Sequence, residues 1–178
     1  MRSDTNIDKI RKLMHELGMK AKGPGKIYLT GGACAVLFGW RNTTVDVDLK
    51  LEPEPSGIFD AIRDLKDKLD INIELASPDQ FIPPLPGWKE RSRHIVDYNH
   101  VQFYHFDFYA QALSKIERGH DRDLKDVAAM LKLGLIDKVL IWEYFQKIES
   151  DLIRYPSINP QAFSAKVKSF LEEAHENL

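Results

Sequence analysis

Seven residues constrain this chain more than any other stretch. From Val45 to Leu51 apolar and polar side chains alternate without a break, with Val45, Val47, Leu49 and Leu51 set against Asp46, Asp48 and Lys50. A period of two sends successive side chains to opposite faces of a strand, so the segment predicts a strand with one buried and one wet face. Just upstream, Lys26 to Thr30 reads as a short buried strand that ends at Gly31-Gly32. Ala33 to Phe38 then reads as a short apolar helix closed by Gly39. Strand, glycine turn, short helix and strand make a compact α/β unit.

The flanking sequence extends that unit. Ile7, Ile10, Met14 and Leu17 are spaced as a helix face, with Gly18 as the expected stop. Pro53 and Pro55 break the chain, and Ile58, Ile62, Leu65 and Leu69 mark another helix. Ile71 to Leu75 predicts a third strand with Asn72 and Glu74 on its polar positions. Ser77 to Pro86 holds four prolines and reads as an irregular crossing, not a linker between domains. Val101 to Tyr109 is aromatic-rich and reads as a strand. Beyond it the pattern is helical. Leu124, Val127, Ala128 and Leu131 form a stripe stopped by Gly134, a helix runs from Lys138 to Arg154, and another runs from Pro160, a favoured first-turn residue, to about Ala174. The expected class is α/β (α+β): a small mixed β-sheet flanked by helices over residues 1–110, with a helical C-terminal part, 111–178, packed on it.

Composition narrows the functions open to such a fold. With 178 residues the chain suits one domain, or one domain with a helical appendage. A net charge of −2 supplies no global basic field, so nucleic-acid binding would need a local patch. Cys34 is the sole cysteine, which excludes a disulfide framework and a cysteine-rich metal site. The start, Met1-Arg2-Ser3-Asp4, leads into a polar amphipathic segment and not a signal-peptide core. No apolar run approaches the roughly 18 residues of a membrane span. The expectation is a soluble cytoplasmic protein with no membrane partner.

The chemistry concentrates between Leu29 and Leu49. Two glycines at a strand-to-helix turn let backbone N–H groups approach an anion closely, the geometry of a phosphate cradle. Asp46 and Asp48, two apart on a strand, project from the same face. Two hard anionic oxygen donors side by side suit Mg²⁺, which takes a few carboxylates together with phosphate oxygens. A cradle facing such a pair is what phosphoryl or nucleotidyl transfer requires. Arg41 has two readings, an ion pair with an acid or a phosphate contact. Lys89, Arg91, Arg93 and His94 beside Trp88 read either as a solvated loop or as a surface that meets RNA by charge and stacking.

Gly31-Gly32, thirteen intervening residues, then Asp46-Val47-Asp48-Leu49 resembles the glycine-glycine/serine and Asp-x-Asp signature of the DNA polymerase β-like nucleotidyltransferase superfamily. Thr30-Gly31-Gly32-Ala33 with Arg41-x-x-Thr44-x-Asp46-x-Asp48 is most similar to its small bacterial and archaeal branch related to AbiEii/MenT-type toxin nucleotidyltransferases. Lys115 to Asp126 resembles, more weakly, a later Lys…Arg-Asp-x-x-Asp segment of those proteins.

The resemblance implies a role for each of these residues. Gly31, Gly32, Arg41 and Thr44 would hold the phosphates of an NTP such as ATP, Lys115 would contact the triphosphate, and Asp123 would belong to the later motif. Asp46 and Asp48 would ligate Mg²⁺ or Mn²⁺. A third acid would help deprotonate the acceptor hydroxyl: Glu74 on the next strand, or Asp107. Gly32 stands where many members have serine. The implied reaction is NMP transfer to RNA, a tRNA end among the candidates, or to a protein, in a setting that includes a cognate toxin–antitoxin partner. Two other readings stay open. One is a low-activity nucleotide- or partner-binding module with the same fold; the other is a metal-dependent phosphohydrolase.

Overall fold

The computed structural model describes residues 2–176. They form a mixed α/β fold with eight α-helices and two small sheets among the described residues. They divide into two compact units: residues up to Ser77 with Ser92–Phe106, and Pro78–Arg91 with Asp107 onward. The proline-rich crossing therefore goes with the helical unit, and the unit boundary falls at its first proline. None of the described helices is long and apolar enough to cross a membrane.

The first unit is built on a five-stranded sheet. β1 (Thr5–Asn6) and β3 (Thr43–Thr44) form a separate two-stranded ladder. The main sheet contains β2 (Gly25–Thr30), β4 (Asp46–Leu51), β5 (Asn72–Leu75), β6 (Arg93–Tyr98) and β7 (Val101–His105), in the order β5-β4-β2-β7-β6. β2 lies at the centre, antiparallel to β4 and parallel to β7. The alternation holds from Asp46 to Leu49, with Val47 and Leu49 at most 1% exposed and Asp46 and Asp48 half-buried, while Leu51, expected on the buried face, is half-buried like Lys50. Val45, expected on the buried face, precedes the strand and is exposed.

Helices α1 (Ile7–Lys20), α2 (Gly32–Phe38) and α3 (Ile58–Lys68) complete this unit. Asn6 caps α1 by accepting from the Lys9 N–H at 3.0 Å. The helix does not stop at Gly18. It passes through to Lys20, because Gly18 is where Tyr98 packs: an added Cβ would collide with the Tyr98 side chain and lie 2.8 Å from its carbonyl oxygen. Ile10, Leu13 and Leu17 join Ile58, Leu65, Ile27, Leu29, Ile73 and Phe103 in the core.

Two strand expectations change. Residues 93–98 pair as β6, an edge strand whose charged residues hide the period-two signature. The strand expected from Val101 to Tyr109 ends at His105, because Asp107 accepts from the Tyr109 N–H at 3.2 Å and starts a helix.

The second unit contains α4 (Trp88–Arg91), α5 (Phe108–Arg118), α6 (Asp121–Lys132), α7 (Lys138–Glu149) and α8 (Pro160–Glu176). Asp137 caps α7 through the Val139 and Leu140 N–H groups at 2.8 and 3.2 Å. Phe145 and Phe163 pack edge to face at 5.0 Å in its core.

One buried polar pair lies in the sheet unit. The His105 imidazole is buried, places Nδ1 3.1 Å from Cys34 Sγ and packs its ring against Phe38. Burial, helped by the nearby Arg93 charge, pushes its pKa down to about 4. The unfolded chain protonates this residue near 6.5, so below that pH it binds a proton that the folded state refuses. Stability therefore falls on acidification between pH 6.5 and 4, by about 2 kcal/mol from this group alone at pH 5. Urea unfolding at pH 7.5 and pH 5 measures the drop, and His105→Gln is expected to shrink it.

Candidate active site

The site begins with a turn that only glycine makes easily. β2 ends at Thr30, and Gly31 follows at φ +63°, ψ −130°. Thr30 is the register partner of Asp48 across the antiparallel ladder. The pairing brings the Asp48 carboxylate against the bend, and a Cβ at Gly31 would lie 3.2 Å from Asp48 Oδ2. The bend and the carboxylate thus share one small space.

Gly32 is constrained differently. Its φ is ordinary, but a Cβ there would collide with Thr44 Oγ1 and sit 2.7 Å from Thr44 Cβ. Arg41 Nη1 lies 3.5 Å from the same point. Gly39, left-handed at φ +89°, closes α2, and the Trp40 and Arg41 N–H groups bond to the Ala35 carbonyl, which folds the chain back over the helix start. Thr44 is fixed by its pairing with Thr5, and its hydroxyl donates to the Asp46 carbonyl at 3.0 Å. Here lies the physical reason for glycine at position 32, where the resemblance offers serine: the Thr44 side chain fills the space a serine Cβ would need.

The acids stand on β4 and β5. The parallel ladder pairs Asp46 with Asn72 and Asp48 with Glu74. Neighbouring strands lie about 4.8 Å apart, so these four residues form one polar patch. The Asn72 amide donates to Asp46 Oδ1 and, at 3.3 Å, to Glu74 Oε1. Asn72 is the functional candidate that the sequence reading missed. Its signal in the sequence is the polar alternation of Ile71 to Leu75, which places Asn72 on the same face as Glu74.

The donor set suits a hard divalent cation. Asp46 and Asp48 are half-buried oxygen anions on one strand face, beside a backbone turn stripped of Cβ. Among the described residues, no three His, Cys, Asp or Glu side chains gather as a metal cage. The chain would thus offer two carboxylates, a number Mg²⁺ accepts when phosphate oxygens and water fill its other positions.

The remaining candidates lie in the helical unit. Asp107 is 1% exposed and takes a two-pronged ion pair from Arg91, at 3.2 and 2.8 Å, besides capping α5. Arg91 in turn lies over the Tyr144 ring at 4.1 Å. Lys115 is buried, with Nζ 2.8 Å from Asp126 and 3.4 Å from Asp123, and Arg118 reaches Asp123 at 2.9 Å. This cluster ties α5 to α6 across the Gly119 turn. Trp88, Lys89 and Arg91 fall in this unit, while Arg93 and His94 fall on β6 of the other.

A family model described as "Nucleotidyltransferase of unknown function (DUF6036)" matches residues 5–174. No curated protein and no solved structure matches the chain.

Two stability outcomes follow from this geometry. Gly32→Ala should cost roughly 1–3 kcal/mol through overpacking against Thr44, although alanine is the better helix former. Adding Thr44→Gly should recover part of that loss in urea titrations. Lys115→Met leaves two buried acids with one cation fewer and should cost about 3–5 kcal/mol. An unchanged melting temperature for Lys115→Met would show that the cluster is not structural.

Proposed function

Since the chain belongs to the DUF6036 nucleotidyltransferase family, we propose that it transfers an NMP unit from an NTP to a hydroxyl of RNA or of a protein. In this reading residues 1–110 carry the transfer chemistry and the helical part supports it. The observation that carries it is the Asp48 carboxylate against the Gly31 bend, on the strand face that Asp46 shares and beside Glu74 in the ladder. The pattern shared with the AbiEii/MenT-type branch supports a cytoplasmic toxin–antitoxin setting, with a cognate partner and a tRNA end among the acceptors.

The residues divide the work. The Gly31-Gly32 backbone and the Arg41 guanidinium receive phosphate oxygens, and Thr44, whose hydroxyl is bonded to the Asp46 carbonyl, shapes the cradle beside them. Asp46 and Asp48 hold Mg²⁺ or Mn²⁺, which supplies neutralisation of triphosphate charge and a more acidic acceptor hydroxyl. Asn72 restrains Asp46 and Glu74 through its amide. Glu74 takes the hydroxyl proton. The acceptor oxygen bonds to the α-phosphorus, the bond from that phosphorus to the bridging oxygen breaks, and pyrophosphate leaves. For Lys115 and Asp123 the resemblance alone suggests the triphosphate-side roles of the later motif.

Incubating the chain with each α-labelled NTP, total RNA and protein, with Mg²⁺ present or chelated, tests the reaction. Metal-dependent label in RNA or protein is the expected result. Asp46→Asn and Asp48→Asn should each lower it by at least about a hundredfold, the scale of a lost electrostatic contact at the reacting centre. Their unfolding curves should stay at or slightly above wild type, since each change relieves acid–acid repulsion. Full turnover by either variant would remove the proposal. Binding of NTP without turnover would indicate the binding-module reading, and release of free nucleotide the phosphohydrolase.

A further inference from the structure

Glu74 has a second side. On one flank the ladder sets it beside Asp48; on the other, β5 is the edge of the sheet. There α3 and β5 flank an open hollow of about 540 Å³ whose lining includes Phe59, Arg63, Lys66, Glu74 and Leu75. Positions 59, 63 and 66 are spaced i, i+4, i+7 and so share one face of α3. Phe59 is 49% exposed and Leu75 is 46% exposed, so an aromatic ring and an aliphatic side chain lie open beside two cations.

We propose that this hollow binds the end of a single-stranded nucleic acid, the acceptor whose hydroxyl Glu74 receives. The proposal rests on the transferase reading above. The hollow is on the flank of Glu74 opposite Asp48, which gives an acceptor a route to that carboxylate. Its chemistry fits one base on the Phe59 ring and backbone phosphates on Arg63 and Lys66. Ile62 and Ile73 complete the lining beside Phe59 and Leu75, and of its three charged side chains two are cations and one is an acid, a balance that attracts an anionic chain. Arg63 does pair with Asp60 at 2.9 Å, but both side chains are about three-quarters exposed. A pair so screened by water holds Arg63 weakly, and a phosphate can take the place of Asp60.

The test uses the full chain with chelator and no NTP, so that binding is read apart from transfer. Anisotropy of a short labelled single-stranded oligoribonucleotide is titrated over a range of salt. Arg63→Ala with Lys66→Ala should weaken binding at least roughly tenfold and flatten the slope of log K against log salt by about 1.4. Phe59→Ala should weaken it at least about fivefold and leave the slope alone. Arg63→Lys should retain most of the binding, and circular dichroism and NTP affinity should match wild type in every variant. Oligonucleotide affinity unchanged in the variants, or absent from wild type, overturns the assignment. So does, in the transfer assay with labelled NTP and Mg²⁺, label that enters protein and is lost on Leu75→Asp, which would make the β5 edge a peptide site while leaving nucleotidyl transfer standing. Charge-dependent binding at this hollow with no transfer to any acceptor would instead sink the transferase reading and keep the ligand class.

Discussion

The antiparallel pairing of residues 27–30 with 48–51 is the constraint on which the rest of the sheet unit depends. It fixes which residue faces the Gly31 bend. A slip of one position would turn Asp46 and Asp48 into the core and bring Val47 and Leu49 to water, since side chains alternate strictly along a strand. The buried apolar set on the opposite face forbids that slip. The positions of the acids are therefore enforced by hydrophobic burial, and not by any attraction between the acids and their surroundings.

The same logic explains the neighbours of the site. Thr44 is held by a two-residue ladder with Thr5, and from there it dictates the side-chain size allowed at position 32. Asn72 stands opposite Asp46 because the parallel β4–β5 ladder sets the register two residues before Glu74 meets Asp48. An amide between two carboxylates is a sound choice. It donates to both without adding charge, whereas a lysine there would neutralise the pair and a third acid would repel it.

The helical unit uses charge in another way. Lys115, Asp123, Asp126 and Arg118 form a largely buried cluster that contributes little net stability when complete and costs a great deal when one member is removed. Asp107 and Arg91 repeat the pattern at the start of α5. Both clusters join elements distant in sequence or separated by a turn. A motif segment can therefore be rich in chemistry-bearing residues and still owe part of its composition to holding helices together.

Periodicity determined much of this chain by itself. The alternation at Val47–Leu51 marked a half-buried strand, the glycines marked the turn, and Pro160 and Gly134 marked helix ends, because each rests on a local steric or patterning rule that needs no partner. The two Asp positions and the glycine turn were legible for that reason. Edge strand β6 was not, since its residues face solvent and a neighbour supplies its hydrogen bonds. Nor was the passage of α1 through Gly18, which depends on Tyr98 eighty residues away, or the filling of the Gly32 space by Thr44. That Glu74 is the ladder partner of Asp48 was likewise beyond sequence, because strand register is a pairing property. Only tertiary structure decided these points: they are set by contacts between segments whose separation along the chain carries no trace of their closeness in space.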